Sequence, residues 1–401
     1  MKRLDMDCLA AINFEIRWSS PEAVHREHFM ARKANMWRDI FPADLKEALM
    51  GQPAGGEAVV SCRPGEAVPA RSGQDILSTR PQNFMRREFL GRYVEPARGR
   101  FYPRGMLAGA GFFSTDMRPC RITALDEKEL RVDCAHPLSD YNVEVRARLE
   151  DLATKECEIG GRMNHWMEEI LGSGPGMQAR TGNAPTQFAH AHGFERNDSM
   201  DDARFYSSPR FIDHIDARAR GFLAGEYARE LEPDMKVLDL MSSVTSHVPQ
   251  DMQLQVTGLG LNPEEMQANP VLDSHVVHDL NRYQELPFND ESYDAVLCSL
   301  SVEYLTSPWA VAREVARVLR SGGIFMAGFS NRWFPPKVVR LWQELHEFER
   351  SGFVLDLLLQ TNSFKDLESI SIRNWWRPED DPHTGQTWVS DPVYVVKGRK
   401  I

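Results

Sequence analysis

Nowhere in the 401 residues does an apolar run reach the roughly 18 positions that a membrane-spanning helix needs. The opening MKRLDMDCLAAINFEIRW sets charges on both sides of a very short apolar stretch, so it has no secretory h-region, and the expected location is the cytoplasm, with no membrane partner. Basic residues are in deficit, 47 Lys and Arg against 58 Asp and Glu, for a formal net charge of -11. That balance leaves no surplus of cations to neutralise phosphates and argues against nucleic acid as a general partner, local patches aside. The six cysteines, Cys8, Cys62, Cys120, Cys134, Cys157 and Cys298, include no Cys-x-x-Cys pair. Their scatter argues against a disulfide framework and a thiolate zinc site, and reads as reduced packing thiols. His190 and His192 form the one His-x-His, with no ligand pattern beside it, so no metal is expected. Internal repeats, low-complexity tracts and a G-x-G-x-x-G after a strand are also missing.

What is present is an ordinary globular mixture, 42% hydrophobic and 26% charged, in a chain longer than one core usually supports. Two domains are therefore expected. Before about residue 150 the pattern is short strands and turns, and after about residue 205 strand and helix patterns alternate. Between them Gly172 to Asp202, rich in Gly, Asn, Asp and Pro, reads as a linker or as an ordered lid over a site. The expected division is 1–155, with an insertion near 71–109, then 156–204 as linker or lid, then 205–401.

In the first part, Leu45 to Gly51 predicts a short helix closed by glycine, and Gly55 to Cys62 a turn and an alternating strand. Arg118 to Thr123, Glu129 to Asp133 and Tyr141 to Leu149 predict further strands, making a small antiparallel α+β domain. Two stretches, Phe41 to Pro69 and Val132 to Leu152 with its His136-Pro137-Leu138, resemble FKBP-type peptidyl-prolyl isomerases of the SlyD-like branch. The resemblance implies binding of proline-containing peptides, and the insertion with Arg86, Arg87, Arg98, Arg100 and Arg104 falls where that branch carries a substrate-binding insert. Isomerisation relies on an aromatic pocket that desolvates the prolyl amide. Where the family places its Trp, Tyr and Phe, this sequence has Asp44 or Leu45, Val68 and Val145, with Trp37 and Phe41 close by.

In the second part, Asp213 to Leu231 has helical spacing, and Met235 to Leu240 reads as a buried parallel strand ending near an acid. Leu254 to Leu259, His275 to His278, Tyr293 to Leu300 and Gly323 to Gly328 follow as strands, with Trp309 to Leu319 as a helix. Alternation of this kind predicts a Rossmann-like α/β domain with ligands off the carboxyl ends of its strands.

Those ends resemble the class I S-adenosylmethionine-dependent methyltransferases. Val237 to His247 is similar to the family's first motif, Asp279-Leu280 to its adenine-holding pair, Leu286 to Pro308 to its fourth strand and lead-in, and Glu314 to Phe329 to its fifth. The resemblance implies a mostly parallel seven-stranded sheet with Val393 to Lys397 antiparallel, and S-adenosyl-L-methionine as cofactor. It implies cofactor contacts from Asp239, Met241, Ser242, Ser243, Asn262, Asp279, Leu280 and Ser299. The motif's usual glycines correspond to Met241, Ser243 and Thr245, and the usual ribose-holding acid to Asn262. Each added Cβ restricts positive φ, while Ser242, Ser243 and Ser246 offer hydroxyls to the cofactor's carboxylate.

The sulfonium methyl is already electrophilic, so transfer needs alignment, plus a base only for an acceptor that is not yet a nucleophile. No catalytic residue is assigned; His247 is a base candidate, Tyr206, Arg210 and His214 are lid candidates, and Ser299, Ser301 and Glu303 face the acceptor position. The leading reading is a methyltransferase acting on a protein or small-molecule acceptor, fused to an FKBP-like module. A catalytically silent methyltransferase-like scaffold and an active prolyl isomerase stand as alternatives, and a nicotinamide-type oxidoreductase ranks last because the glycine fingerprint is missing.

Overall fold

In the computed structural model, residues 2–156, 161–172, 180–182, 184–249 and 251–401 are described; Cys157 and part of the 172–202 stretch lie outside them. The chain forms two compact units: residues 1–21, 25–190 and 344–352, and residues 22–24, 191–343 and 353–401. A short stretch from the C-terminal half thus belongs with the N-terminal unit, where the sequence suggested a linear division into 1–155, a linker or lid at 156–204, and 205–401.

The first unit starts with two long strands that the sequence reading passed over, β1 (Cys8–Ser19) and β2 (Val24–Asn35). Then come α1 (Ala43–Leu49), β3 (Glu57–Cys62), β4 (Ile76–Thr79), the short β5 (Glu88–Phe89) and β6 (Arg92–Tyr93), and β7 (Phe101–Pro103). The unit continues with β8 (Pro119–Leu125), β9 (Leu130–Asp133), β10 (Val143–Thr154) and α2 (Trp166–Leu171). Helix α2 lies inside the segment read as linker, and it is N-capped by the His165 side chain, which accepts from Glu168 N–H.

One sheet has the order β2-β1-β10-β3, and a second, smaller one β4-β9-β8-β7. In the first, β1 and β10 run antiparallel with Ile12 opposite Leu149, Phe14 opposite Ala147 and Ile16 opposite Val145. This is the period-two alternation expected of a strand with one buried face. That face packs against Leu45 and Leu49 of α1 and Trp166 and Ile170 of α2. A separate small core of Tyr102, Cys120, Ile122, Leu130, Val132 and Cys134 lies on the second sheet. Within this unit Arg100 and Glu349 form an ion pair at 2.8 Å with both side chains only 4% exposed, and Glu349 also accepts from Phe101 N–H at 3.0 Å.

The second unit contains α3 (Asp202–Phe205), α4 (Ala217–Ala228), β11 (Lys236–Leu240), β12 (Gln255–Gly260), α5 (Pro263–Ala268) and β13 (Ser274–Val277). Then come β14 (Tyr293–Ser299), α6 (Pro308–Val318), β15 (Leu319–Phe329), α7 (Arg340–Glu344), α8 (Glu347–Thr361), β16 (Phe364–Arg373) and β17 (Val393–Lys400). Its seven strands have the order β13-β12-β11-β14-β15-β17-β16. The first five are parallel, and β17 runs antiparallel to both β15 and β16, so the sheet is mixed. This is a Rossmann-like fold whose strand order reverses between β11 and β14, which opens a crevice at their carboxyl ends. Strands β16 and helix α8 had no counterpart in the sequence reading.

Candidate active site

Strand β11 is short and apolar until Asp239, because both of its faces are covered; the chain then turns at Met241 with φ at +55°, a left-handed conformation disfavoured for a side-chain-bearing residue. Met241 occupies a position where the resemblance had suggested glycine. The turn therefore keeps a glycine-like backbone without the glycine. Two more residues of the same cavity, His247 at +54° and Leu300 at +53°, are also left-handed. Strain of this kind costs on the order of 1–3 kcal/mol per residue and gathers at functional sites.

The carboxyl ends of β11, β12 and β14 and the turn after β13 surround a cavity of about 390 Å3. All eight residues expected to meet a cofactor line it: Asp239, Met241, Ser242, Ser243, Asn262, Asp279, Leu280 and Ser299. Tyr206, Arg210, His214, His247 and Ser301, singled out in the sequence for other roles, line it as well.

Asp239 is 2% exposed, and Ser246 Oγ donates to it at 2.8 Å. Burial pushes its carboxyl up to about 7, against the pull of the neighbouring serine hydroxyls. Across the cavity Gly260 is a close approach: a Cβ there would lie 2.3 Å from the Ser242 carbonyl oxygen. Asn262 is already engaged. Its Oδ1 accepts from Glu264 and Glu265 N–H at 2.9 and 3.1 Å as the N-cap of α5, and its Nδ2 donates to the Tyr206 carbonyl at 2.9 Å. The acid at this end is Glu265, which accepts from Arg210 N–H at 2.7 Å and from Ser243 Oγ at 2.6 Å. Asp279 Oδ1 holds its own turn, accepting from Asn281 and Arg282 N–H at 2.9 and 3.2 Å. Ser299 Oγ and Tyr227 Oη share a hydrogen bond at 2.9 Å.

The wall contributed before β11 is anchored by a buried carboxylate. Asp202 accepts from Arg196 at 2.6 Å and from Asn281 Nδ2 at 2.9 Å, and pairs with the fully buried Lys337 at 3.1 Å. Burial raises the Asp202 carboxyl, but these donors outweigh it and hold it below the usual range. Arg210 lays its guanidinium over the rings of Phe205, Tyr206 and Phe334 at 4.7, 5.4 and 5.3 Å. His214 packs edge-on to Phe334 with centroids 5.4 Å apart. Burial lowers the pKa of His214, and pushes that of His247 down to about 4, so both imidazoles are neutral at physiological pH.

Sequence reasoning missed Glu265, Tyr304, Arg332, Trp333, Phe334 and His383, all on the cavity. For Glu265 a signal existed: Asn262-Pro263-Glu264-Glu265 is a helix start with acids in its first turn. Phe334 N–H donates to Tyr304 Oη at 2.8 Å, a pairing of residues thirty apart that no local pattern announces. Among the described residues no group of three or more His, Cys, Asp or Glu is placed to hold a metal ion. No helix among them is long and apolar enough to cross a membrane.

Residues 241–327 match the family model described as a methyltransferase domain. This stretch of the second unit is thus similar to a methyltransferase domain. An uncharacterized methyltransferase of Mycobacterium sp. (strain JLS) is 30% identical over 83 residues, 21% of this chain and 32% of that protein. The 27-O-demethylrifamycin SV methyltransferase of Amycolatopsis mediterranei (strain S699) is 33% identical over 81 residues, 19% of this chain and 30% of that one. The aligned part spans about a third of the length of these curated relatives. Among solved structures, an S-adenosylmethionine-dependent methyltransferase from Mesorhizobium loti aligns at 16% identity over 44% of this chain and 96% of that one, with a TM-score of 0.31. The matched stretch begins at Met241, inside the turn built on β11, and ends in β15, so it takes in most of the strands that frame the cavity. The match to a methyltransferase domain implies S-adenosylmethionine as cofactor.

Proposed function

We propose that the chain transfers a methyl group from S-adenosylmethionine to an acceptor bound in the 390 Å3 cavity. The observation that carries this reading is convergence: eight residues picked from separate strand ends line one cavity. The residues present fit the cofactor. Met241 keeps the left-handed turn that the family builds with glycine, Gly260 gives close backbone approach, and Asp279-Leu280 offers an acceptor beside a buried apolar surface.

In this reading Ser242, Ser243 and Asp239 hold the methionine end, and Asp279, Leu280 and the α5 terminus the nucleoside end. Glu265 takes the acidic role first sought at Asn262, whose amide is committed to the helix cap. When bound, the cofactor supplies the electrophilic methyl. His214 and His247, neutral because buried, accept a proton from an acceptor hydroxyl or amine, and Ser299 and Ser301 face that acceptor. Residues 202–214 form its lid, anchored through Asp202 and Lys337.

The first unit we read as an FKBP-like module that presents peptide or protein acceptors, with the acceptor otherwise a small molecule. Its order of long strands, helix, strand, inserted sheet, His136-Pro137-Leu138 turn and last strand supports that reading. Leu45, Val68 and Val145 lie in its core where isomerases keep aromatics, so no isomerase chemistry is assigned.

Calorimetric titration with S-adenosylmethionine and S-adenosylhomocysteine, on the parent and on Asp279→Ala and Asp279→Asn, tests the reading. Micromolar binding, about -8 kcal/mol, is expected in the parent. It should weaken in both variants, including the Asn form that retains the turn's acceptor. Absence of binding by either ligand makes the domain a scaffold and rejects the proposal.

A further inference from the structure

The second sheet of the first unit brings together two cysteines that the sequence keeps apart. Strands β8 and β9 are antiparallel, with Arg121 opposite Asp133 and Ile122 opposite Val132. Carried one pair further, that register sets Cys120 directly across from Cys134. Opposed residues in an antiparallel pair have Cα atoms about 4.5–5.5 Å apart, inside the range of about 4.4–6.8 Å that a disulfide spans. Both side chains point into the same small core, at 1% and 5% exposure, and the two thiols contact one another. Both are free thiols. We propose that Cys120 and Cys134 form a reversible oxidation site, a dithiol that a small hydroperoxide converts to a cross-strand disulfide.

The surroundings assign each sulfur a part. Cys134 lies near Arg104, whose guanidinium donates to the Cys134 carbonyl oxygen. Contact with the Cys120 thiol and the nearby guanidinium hold the Cys134 thiol below the ordinary range against the effect of burial. The Cys120 thiol is pushed up, first by its contact with Cys134 and then by burial, and its Sγ lies 3.3 Å from the Tyr102 carbonyl oxygen. The thiols of Cys8, Cys62 and Cys298 are each raised, chiefly by burial. Cys134, the more exposed of the two at 5% against 1% and the one beside Arg104, is therefore assigned as the sulfur that meets the oxidant as a thiolate.

The chemistry balances in two steps. The Cys134 thiolate attacks the peroxide, the O–O bond breaks, and a sulfenic acid and an alkoxide or hydroxide result. Cys120 then attacks the sulfenic sulfur, its proton leaves with the departing hydroxyl as water, and the S–S bond closes. The peroxide is reduced by two electrons and the dithiol oxidised by two; an external thiol returns the site to the dithiol by exchange. The small size of the oxidant suits the slight exposure of Cys134.

The experiment treats the freshly reduced full chain with limiting hydrogen peroxide, alkylates the remaining thiols and maps the peptides. Trypsin separates the two cysteines at Arg121, Lys128 and Arg131, so a disulfide appears as a linked peptide pair. The expected result is loss of about 2 Da from the intact mass. The Cys120–Cys134 pair should form about tenfold faster than Cys8, Cys62 or Cys298 is oxidised, and dithiothreitol should reverse it. With Cys120→Ala, dimedone should trap a sulfenic acid on Cys134. Oxidation of Cys134 without a linked pair, or at the rate of the other cysteines, overturns the proposal. The peptide map of the parent chain decides this even where a variant fails to fold.

Discussion

Replacing Asp239 by Asn should raise the stability of the second unit at alkaline pH while weakening the cofactor site. Asp239 is 2% exposed at the end of β11, and burial lifts its pKa from 3.8 to about 7. Between those values the folded chain holds a proton that the unfolded chain has released. Its contribution is therefore fully present below about pH 4 and is lost as pH rises through 7. A proton affinity about a thousandfold higher in the folded state corresponds to about 4 kcal/mol at 1.36 kcal/mol per tenfold. Asn does not titrate, keeps an acceptor for Ser246 Oγ and removes that loss. For a unit of about 200 residues each kcal/mol moves the melting midpoint by about 2–4 °C, which sets about 8–16 °C as the upper end of the gain at pH 8. Thermal melts of parent and variant, followed by circular dichroism from pH 5 to 8 at constant ionic strength, read it directly. The variant's advantage should grow with pH, and its affinity for S-adenosylmethionine should fall. Parallel pH profiles for the two proteins would refute a buried, proton-holding Asp239.

Three further outcomes are expected. Gly260→Ala forces a Cβ to 2.3 Å from the Ser242 carbonyl oxygen, so the two loops must part at a cost of about 1–3 kcal/mol; an unchanged melt and unchanged ligand binding would contradict the close approach. Met241→Val, a β-branched residue in a left-handed position, should be less stable than Met241→Gly by about 1–2 kcal/mol in denaturant titrations, and equal stability of the two would remove the strained turn. Glu349→Ala leaves Arg100 buried without its carboxylate and should cost the first unit about 3–5 kcal/mol. The double variant Arg100→Met with Glu349→Leu should recover much of that loss, and failure to do so in thermal melts would argue that packing, and not charge, dominates there.

The parallel strands of the second unit were legible because a strand covered on both faces must be apolar throughout. An acid closing such a run, as in Lys236–Leu240, marks where the covered strand meets the crevice. That logic located Asp239, while Asp279 came from the resemblance of Asp279-Leu280 to the family's adenine-holding pair. It did not locate β1, where Cys8–Ser19 alternates in and out with Glu15 and Arg17 on its open face. Nor did it reach the segment 344–352, whose Glu349 pairs with Arg100 across almost 250 positions of sequence.

What the sequence by itself determined is the local part: which runs extend, where helices start, and which acids end strands. These follow from side-chain periodicity and backbone preference within a few residues. The tertiary structure decided the rest. It gave Asn262 to a helix cap and brought Glu265 to Ser243 and Arg210 on the cavity wall. It added Phe334 and His383 to a wall begun by Tyr206 and Arg210, and set Cys120 beside Cys134 through strand register. Each of these depends on which distant backbone groups pair. That is settled by burial and hydrogen bonding summed over a whole unit, and no short window of sequence contains it.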